Sequence, residues 1–78
     1  MKEITIKIRS VQEVLDFVSL ATARAFRVTV SDGRHQVNGK SFMEMFCLNF
    51  SRPLKATMDC SQEEYEQFRA DAQALLAK

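Results

Sequence analysis

The chain has 78 residues, of which 46% are hydrophobic and 27% are charged, a length and composition that suit one small domain with a single core. The formal net charge at pH 7 is only +1, so no overall field attracts nucleic acid or an anionic membrane. No run approaches the ~20 apolar residues of a membrane span, and the first residues lack the pattern of a signal peptide. We therefore expect one domain, residues 1–78, in the cytoplasm.

The first third of the chain predicts a strand and an amphipathic helix. Ile4, Ile6 and Ile8 alternate with polar residues over residues 2–9, which is typical of a half-buried strand. Ser10, with Glu13 three positions later, has the pattern of a capping box that starts a helix over residues 11–24. The apolar face of this helix is predicted to contain Val11, Val14, Leu15, Val18, Ala21, Thr22 and Ala25, widened by Phe17 and Leu20, with Asp16, Ser19 and Arg24 toward water.

A hairpin is predicted in the middle of the chain. Residues 26–30 alternate and give a second strand, and the pair Asp32-Gly33 is common in hairpin turns because glycine adopts positive φ. A short third strand is expected over residues 34–38. His35, the only histidine, is expected to face solvent beside the turn. The region is basic, which indicates either a solvated sheet edge or a docking patch for an acidic partner; its cations are Arg24, Arg27, Arg34 and Lys40.

A short, unusually apolar helix is predicted over residues 42–48. Ser41 stands at its N-cap position, and Glu44 three residues later has the spacing of a second capping box. The helix has too many apolar residues for one buried stripe, namely Phe42, Met43, Met45 and Phe46. Some of them should therefore face outward, and exposed methionine and phenylalanine suit an adaptable contact surface.

The last third predicts one more strand and one more helix. Residues 54–60 alternate after the break at Arg52-Pro53, and Ser61 with Glu64 forms a third capping-box pattern. The final helix has an apolar stripe made of Tyr65, Phe68, Ala72, Leu75 and Leu76. The order is β-α-β-β-α-β-α, and each strand has one apolar face. This predicts an α+β fold in which three helices cover one face of a four-stranded antiparallel sheet.

No local pattern supports catalysis or metal binding. Cys47 and Cys60 fit no zinc spacing and are expected to be buried thiols in a reducing compartment. Gly39-Lys40-Ser41 lacks the first glycine of a phosphate-binding loop, because Arg34 occupies that position. The predicted strands carry no aromatic residues arranged to stack on RNA. We expect a protein that is not an enzyme, with no catalytic or metal-binding residue, no cofactor and no nucleic acid partner.

A resemblance to a known family adds to this picture. The stretch Val37-Asn38-Gly39-Lys40-Ser41-Phe42-Met43 resembles the V-N-A-K-S-I-M stretch of HPr, the histidine-containing phosphocarrier of the bacterial sugar phosphotransferase system. Asp32-Gly33 is similar to the family's hairpin turn, and Ile4-Thr5-Ile6 to its first strand. The resemblance implies an HPr-like open-faced β-sandwich with the strand order 1-4-2-3. Periodicity alone would not choose that order.

The resemblance also indicates which family sites are kept. The family carries its phosphoryl group on a histidine in a G-x-H-A-R-P segment between the first strand and the first helix, where this chain has residues 8–13, Ile-Arg-Ser-Val-Gln-Glu. A second family site, a serine phosphorylated in some bacteria, matches Ser41. A phosphate there would meet the free N–H groups and the dipole of a helix N-terminus. Partner binding is implied for Lys40, Met43, Met45 and Phe46.

These observations give one leading hypothesis and two alternatives. We expect a non-catalytic HPr-like protein that binds a protein partner through the helix beginning at Ser41. The implied partners are phosphotransferase-system proteins or a transcriptional regulator, and the implied setting is the regulation of carbon metabolism or sugar uptake. The first alternative is an active phosphocarrier that uses an unusual residue. The second is an HPr-fold interaction module in an unrelated pathway.

Overall fold

The computed structural model describes residues 1–77, and within them four strands and three α-helices form two layers. The elements are β1 (Lys2–Ile6), α1 (Val11–Thr22), β2 (Val28–Ser31), β3 (Gln36–Asn38), α2 (Phe42–Met45), β4 (Leu54–Met58) and α3 (Gln62–Asp71), followed by a 3-10 turn (Gln73–Leu75). All strand pairs are antiparallel, and the sheet order is β1-β4-β2-β3. The predicted α+β class, element order and strand order are confirmed. None of the helices in residues 1–77 is long and apolar enough to cross a membrane.

The core lies between one face of the sheet and the helices. The strands contribute alternate residues, so that Ile4, Ile6, Val28, Val30, Leu54, Ala56 and Met58 are all buried. Phe17 of α1 and Phe68 of α3 meet edge to face in the centre, with their ring centroids 6.0 Å apart. Polar residues occupy the other face of the sheet, where Thr5 pairs with Lys55 and Ser31 pairs with Gln36. Burial of one side chain as large as phenylalanine stabilises the fold by about 1.5–3 kcal/mol.

The buried stripe of α1 differs from the predicted one. Val14, Phe17 and Ala21 are fully buried, whereas Val11 and Leu15, which were predicted to face the core, are 59% and 40% exposed. The apolar residues of α1 form two adjacent rows along the helix. The row that packs in the core is the one that contains Phe17, the largest side chain. The prediction that Arg24 faces water is also wrong. Its guanidinium lies 5.4 Å from the centroid of the Phe68 ring and pairs with Asp71.

The predicted capping boxes are only partly present. The hydroxyl of Ser10 accepts from the N–H of Glu13, but the Glu13 carboxylate accepts from the N–H of Arg9 instead of the cap residue. Among the three predicted boxes, the reciprocal bonds are both present only at Ser61 and Glu64. Most elements are also a few residues shorter than predicted. Helix α2 ends at Met45 instead of residue 48 because the chain tightens into turns in which each N–H bonds three residues back.

The end of the described chain covers part of the outer edge of β1. The N–H of Lys7 donates to the carbonyl of Leu75 at 2.8 Å, and the N–H of Ala77 donates to the carbonyl of Thr5 at 3.0 Å. Between these two bonds, Ile6 and Leu76 form an antiparallel bridge. The second half of β1 therefore has hydrogen-bond partners on both sides.

Candidate functional site

The connection between β3 and α2 is packed tightly against the core. The N–H of Gly39 donates to the carbonyl of Val28 at 2.8 Å, and the residue is buried. A Cβ atom added at Gly39 would lie 2.8 Å from Cγ1 of Val28 and 3.2 Å from Cε2 of Phe17. Only glycine therefore fits here without a shift of the neighbours, and its close approach fixes the point at which α2 begins.

Lys40 holds the same connection to the end of α1. Its side-chain Nζ donates to the backbone carbonyl of Arg24 at 2.6 Å, and the residue is half-buried. The Arg24 side chain in turn reaches α3 through Asp71 and Phe68. The predicted contact residue Lys40 thus has a structural partner, which leaves its charge only partly available to another protein.

Ser41 is the N-cap of α2, as predicted. Its hydroxyl oxygen accepts from the N–H of Glu44 at 3.3 Å. The capping box is incomplete, because the Glu44 carboxylate accepts from the N–H of Asn38 at 3.1 Å. Among residues 1–77, no acceptor receives the N–H of Phe42 or Met43. Two backbone donors therefore remain open beside the Ser41 hydroxyl, on a helix of only four residues.

The side chains of α2 divide into an exposed group and one buried residue. Met43 is 77% exposed, and Phe42 and Phe46 are 36% and 41% exposed. The two phenylalanine rings meet edge to face with their centroids 4.8 Å apart. Met45, in contrast, is fully buried in the core, so its prediction as a partner-binding residue is wrong. Met45 faces the sheet and fills space in the close-packed core.

An apolar groove extends from Phe46 toward the connection between β1 and α1. The Phe46 and Phe50 rings lie 6.3 Å apart, and Ile8, Val11 and Val14 complete the apolar lining. Lys7 closes one end, where its Nζ donates to the carbonyl of Ser51 at 3.1 Å. Phe50 was not predicted as part of a site because it lies in no regular element. We call the exposed side chains of α2 together with this groove the α2 surface.

The histidine lies apart from the α2 surface. His35 follows the hairpin turn and is exposed, with its Nδ1 atom 3.8 Å from Oδ2 of Asp32. It lines a different cavity, together with Cys47 and Arg52. The connection of residues 7–10 that borders the groove contains no histidine, and its Ser10 serves as the cap of α1. The groove is therefore lined by apolar side chains and by the side chains of Lys7, Arg9 and Ser10, and its lining includes no histidine and no cysteine.

The two thiols differ from each other. Cys47 was predicted to be buried but is exposed, because α2 ends before this residue and the following turn faces solvent. Cys60 is half-buried, and burial raises the pKa of its thiol. No three histidine, cysteine or acidic side chains come together in residues 1–77 in a way that could hold a metal ion.

Two solved structures have an architecture similar to that of this chain. The crystal structure of HPr-C-His from Thermoanaerobacter tengcongensis has a TM-score of 0.70 and 27% identity, covering 92% of this chain and 90% of its own. The histidine-containing phosphocarrier protein described from Mycoplasma has a TM-score of 0.70 and 15% identity, covering 99% and 100%. No family model matches the sequence, and no curated protein does. The chain has an HPr-like fold.

The HPr-like fold places the stretch that carries the sequence resemblance beside the segment where the family's histidine would lie. Residues 37–43, which carry the sequence resemblance, form the end of β3 and the start of α2. Residues 8–13, where the family's histidine segment would lie, begin at the groove wall and enter α1. In this chain the two segments therefore border one continuous surface.

Proposed function

We propose that this HPr-like protein binds a protein partner through the α2 surface and does not carry a phosphoryl group on histidine. The setting that best fits the likeness is the phosphotransferase system or its regulation. The observation that carries the proposal is the cluster of exposed Phe42, Met43 and Phe46 next to an apolar groove. Large apolar side chains this exposed on a small domain are typical of an interaction site.

The physical properties of the α2 surface support protein binding. Phenylalanine and methionine bury large areas on binding and adapt to a partner's shape. Lys7 and Arg9 lie at the rim of the groove, where they would add electrostatic steering for an acidic partner. Met45 anchors α2 from below, so the exposed side chains are displayed on a fixed support.

A regulatory role for Ser41 forms part of the proposal. A phosphate on its hydroxyl would lie at the edge of the α2 surface, near the open N–H groups of Phe42 and Met43. Phosphorylation would also replace the bond from the N–H of Glu44 and add negative charge near the Glu44 carboxylate. We expect the modification to change partner affinity more than it changes the fold. Mass spectrometry of protein from the native host, followed by affinity measurements on both forms, tests this.

The docking proposal is tested with surface variants. Binding is measured against purified phosphotransferase-system proteins and sugar-responsive transcriptional regulators, with wild type and with Met43→Ala combined with Phe46→Ala. Two interface residues of this kind typically contribute enough that affinity falls about tenfold or more. Lys55→Ala on the polar face of the sheet is the control and should bind like wild type. Equal affinity of the double variant and wild type would remove the α2 surface as the contact site.

Phosphoryl transfer is the second candidate function, and the fold likeness favours it. The protein is incubated with phosphoenolpyruvate and the first enzyme of the phosphotransferase system, and acid-labile phosphate is measured. We expect none on wild type or on His35→Ala. Acid-labile phosphate that disappears in His35→Ala would replace our proposal with a carrier that uses the hairpin histidine.

A further inference from the structure

A second cavity lies between the β2–β3 hairpin and the loop that follows α2. It has a volume of about 440 Å³ and is lined by Asp32, Arg34, His35, Cys47, Leu48, Asn49 and Arg52. This volume lies within the range of about 300–1,000 Å³ that is typical of small-molecule sites. None of its lining residues takes part in the groove of the α2 surface. We call it the hairpin cleft.

The two walls of the hairpin cleft are held together by Asp32. Its Oδ1 atom accepts from the N–H groups of Arg34 and His35, both at 2.8 Å, and its Oδ2 atom accepts from the N–H of Asn49 at 2.9 Å. The side chain is only 3% exposed. These three bonds fix the hairpin against the loop, so the cleft exists before any ligand arrives. A preformed site costs less ordering entropy on binding.

The charge in the hairpin cleft is positive where a ligand would touch it. The Asp32 carboxylate is turned into the backbone, and its three bonds hold its pKa well below the usual range. Neither Arg34 nor Arg52 forms an ion pair with any of residues 1–77. Arg34, Arg52 and His35 line the cleft together with one carboxylate, Asp32, whose Oδ2 atom lies 3.8 Å from Nδ1 of His35.

We propose that the hairpin cleft binds the phosphate group of a small phosphate monoester. Guanidinium groups bind phosphate oxygens through two parallel hydrogen bonds, and two such groups suit a dianion. Leu48 is 6% exposed and forms an apolar floor for the organic part of the ligand. We take the ligand to be a free metabolite, because a volume of about 440 Å³ can hold a small organic group together with its phosphate. The inference is independent of the α2 surface.

Cys47 makes the cleft directly measurable. Its exposed thiol lines the cleft, whereas Cys60 lies elsewhere and is removed by Cys60→Ala. The rate of Cys47 alkylation by iodoacetamide is measured with glycerol 3-phosphate, with glycerol and with inorganic phosphate, all at one ionic strength. Glycerol 3-phosphate should slow alkylation in a saturable way, and glycerol should have no effect. Inorganic phosphate should protect more weakly because it cannot cover the Leu48 floor. Equal protection by the two phosphates would overturn the assignment to a monoester.

Two variants test the proposed contacts. Arg34→Gln combined with Arg52→Gln should weaken protection by glycerol 3-phosphate about tenfold or more, because charge-assisted hydrogen bonds to the phosphate are lost. Arg27→Gln combined with Arg69→Gln also removes two charges, at positions that do not line the cleft, and should leave protection unchanged. Protection that persists in the double variant would overturn the proposal.

A measurement on the unmodified protein guards against a misfolded variant. Backbone amide signals of wild type are followed by NMR during titration with glycerol 3-phosphate. The saturating shifts should centre on residues 34–35 and 47–52. Shifts spread over the basic surface, or shifts reproduced by potassium chloride, would mean that no such site exists.

Discussion

The Asp32 carboxylate accepts a hydrogen bond from the backbone N–H of Asn49 at 2.9 Å, across 17 positions of the chain. This bond joins the hairpin turn to the loop after α2, two segments with little regular structure of their own. The same carboxylate closes the hairpin turn through the N–H groups of Arg34 and His35. One buried side chain therefore determines the conformation of both segments.

Substitution of Asp32 tests this relationship. Asp32→Asn should lower the melting temperature, because one amide N–H₂ must face a backbone N–H donor in place of an acceptor. Thermal unfolding followed by circular dichroism measures the change. Asp59→Asn, at an exposed position after β4, is the matched control and should unfold like wild type. Similar melting temperatures for both variants would show that the bond to Asn49 contributes little.

Acid should weaken the fold through the same carboxylate. The backbone bonds from Asn49, His35 and Arg34 lower the pKa of Asp32, and Arg24 lowers that of Asp71. A carboxyl group with a lowered folded pKa stabilises the protein above its unfolded pKa, and this contribution is lost as the pH falls through the folded pKa. Urea unfolding should therefore show decreasing stability below about pH 4, and Asp32→Asn should flatten the decrease. An identical slope in Asp32→Asn would contradict this assignment.

Met45 and Met43 provide a matched pair on one helix. Met45→Ala removes a fully buried side chain and should lower the free energy of unfolding by about 2–5 kcal/mol. Met43→Ala changes a 77% exposed side chain and should stay within about 0.5 kcal/mol of wild type. Chemical denaturation of both variants measures the difference. Equal losses would mean that α2 does not face the core as described.

Substitution of either glycine by alanine should destabilise the fold, but for different reasons. Gly39→Ala brings a Cβ to 2.8 Å from Val28 and should cost about 1–3 kcal/mol by overpacking. Gly33→Ala meets no atom within 4 Å, but its φ of 97° is unfavourable for alanine and should cost about 1–2 kcal/mol. Methyl NMR signals of Val28 should shift only in the Gly39 variant. Their shift in neither variant would contradict the close approach.

The caps of α2 and α3 should contribute unequally. Ser41→Ala removes one hydrogen bond and should cost about 1 kcal/mol, while Ser61→Ala breaks a reciprocal box and should cost at least as much. Thermal unfolding of both variants gives the comparison. An unchanged melting temperature for Ser41→Ala would remove the cap assignment.

The secondary structure could be predicted from the sequence more completely than the set of exposed residues. Alternation, the hairpin pair and the cap residues predicted the four strands and three α-helices, because the period of buried side chains is a local property, but they did not predict the 3-10 turn Gln73–Leu75. The strand order came from the family resemblance, since periodicity does not say which strands pair. Which side chains of a helix are buried depends on how the helix is rotated against the sheet. In α1 this rotation buries Phe17 and exposes Val11, and in α2 it buries Met45 and exposes Met43. That rotation is set by packing between distant segments.

At the candidate site, too, local patterns could be predicted from the sequence, whereas contacts between distant segments could not. The local pattern predicted Ser41 as an N-cap and an outward position for some apolar side chains of α2, and the structure has this cap and exposes Met43 and Phe46. The positions of Phe50 in the groove and of Asp32 beside the hairpin cleft were not predicted, because they depend on contacts between loops. An aspartate that opens a turn is a common motif, but nothing local signals its third bond, to Asn49.

The bonds between β1 and the end of the described chain limit how a partner can bind. Residues 75–77 occupy the outer edge of β1 at Thr5 and Lys7, and the opposite edge strand, β3, has only three residues. Strand addition needs a longer row of unpaired backbone groups than this sheet offers along residues 5–7 or 36–38. Along these residues, recognition of this domain therefore depends on its side chains, so that partner choice can change by point substitution while the backbone stays constant.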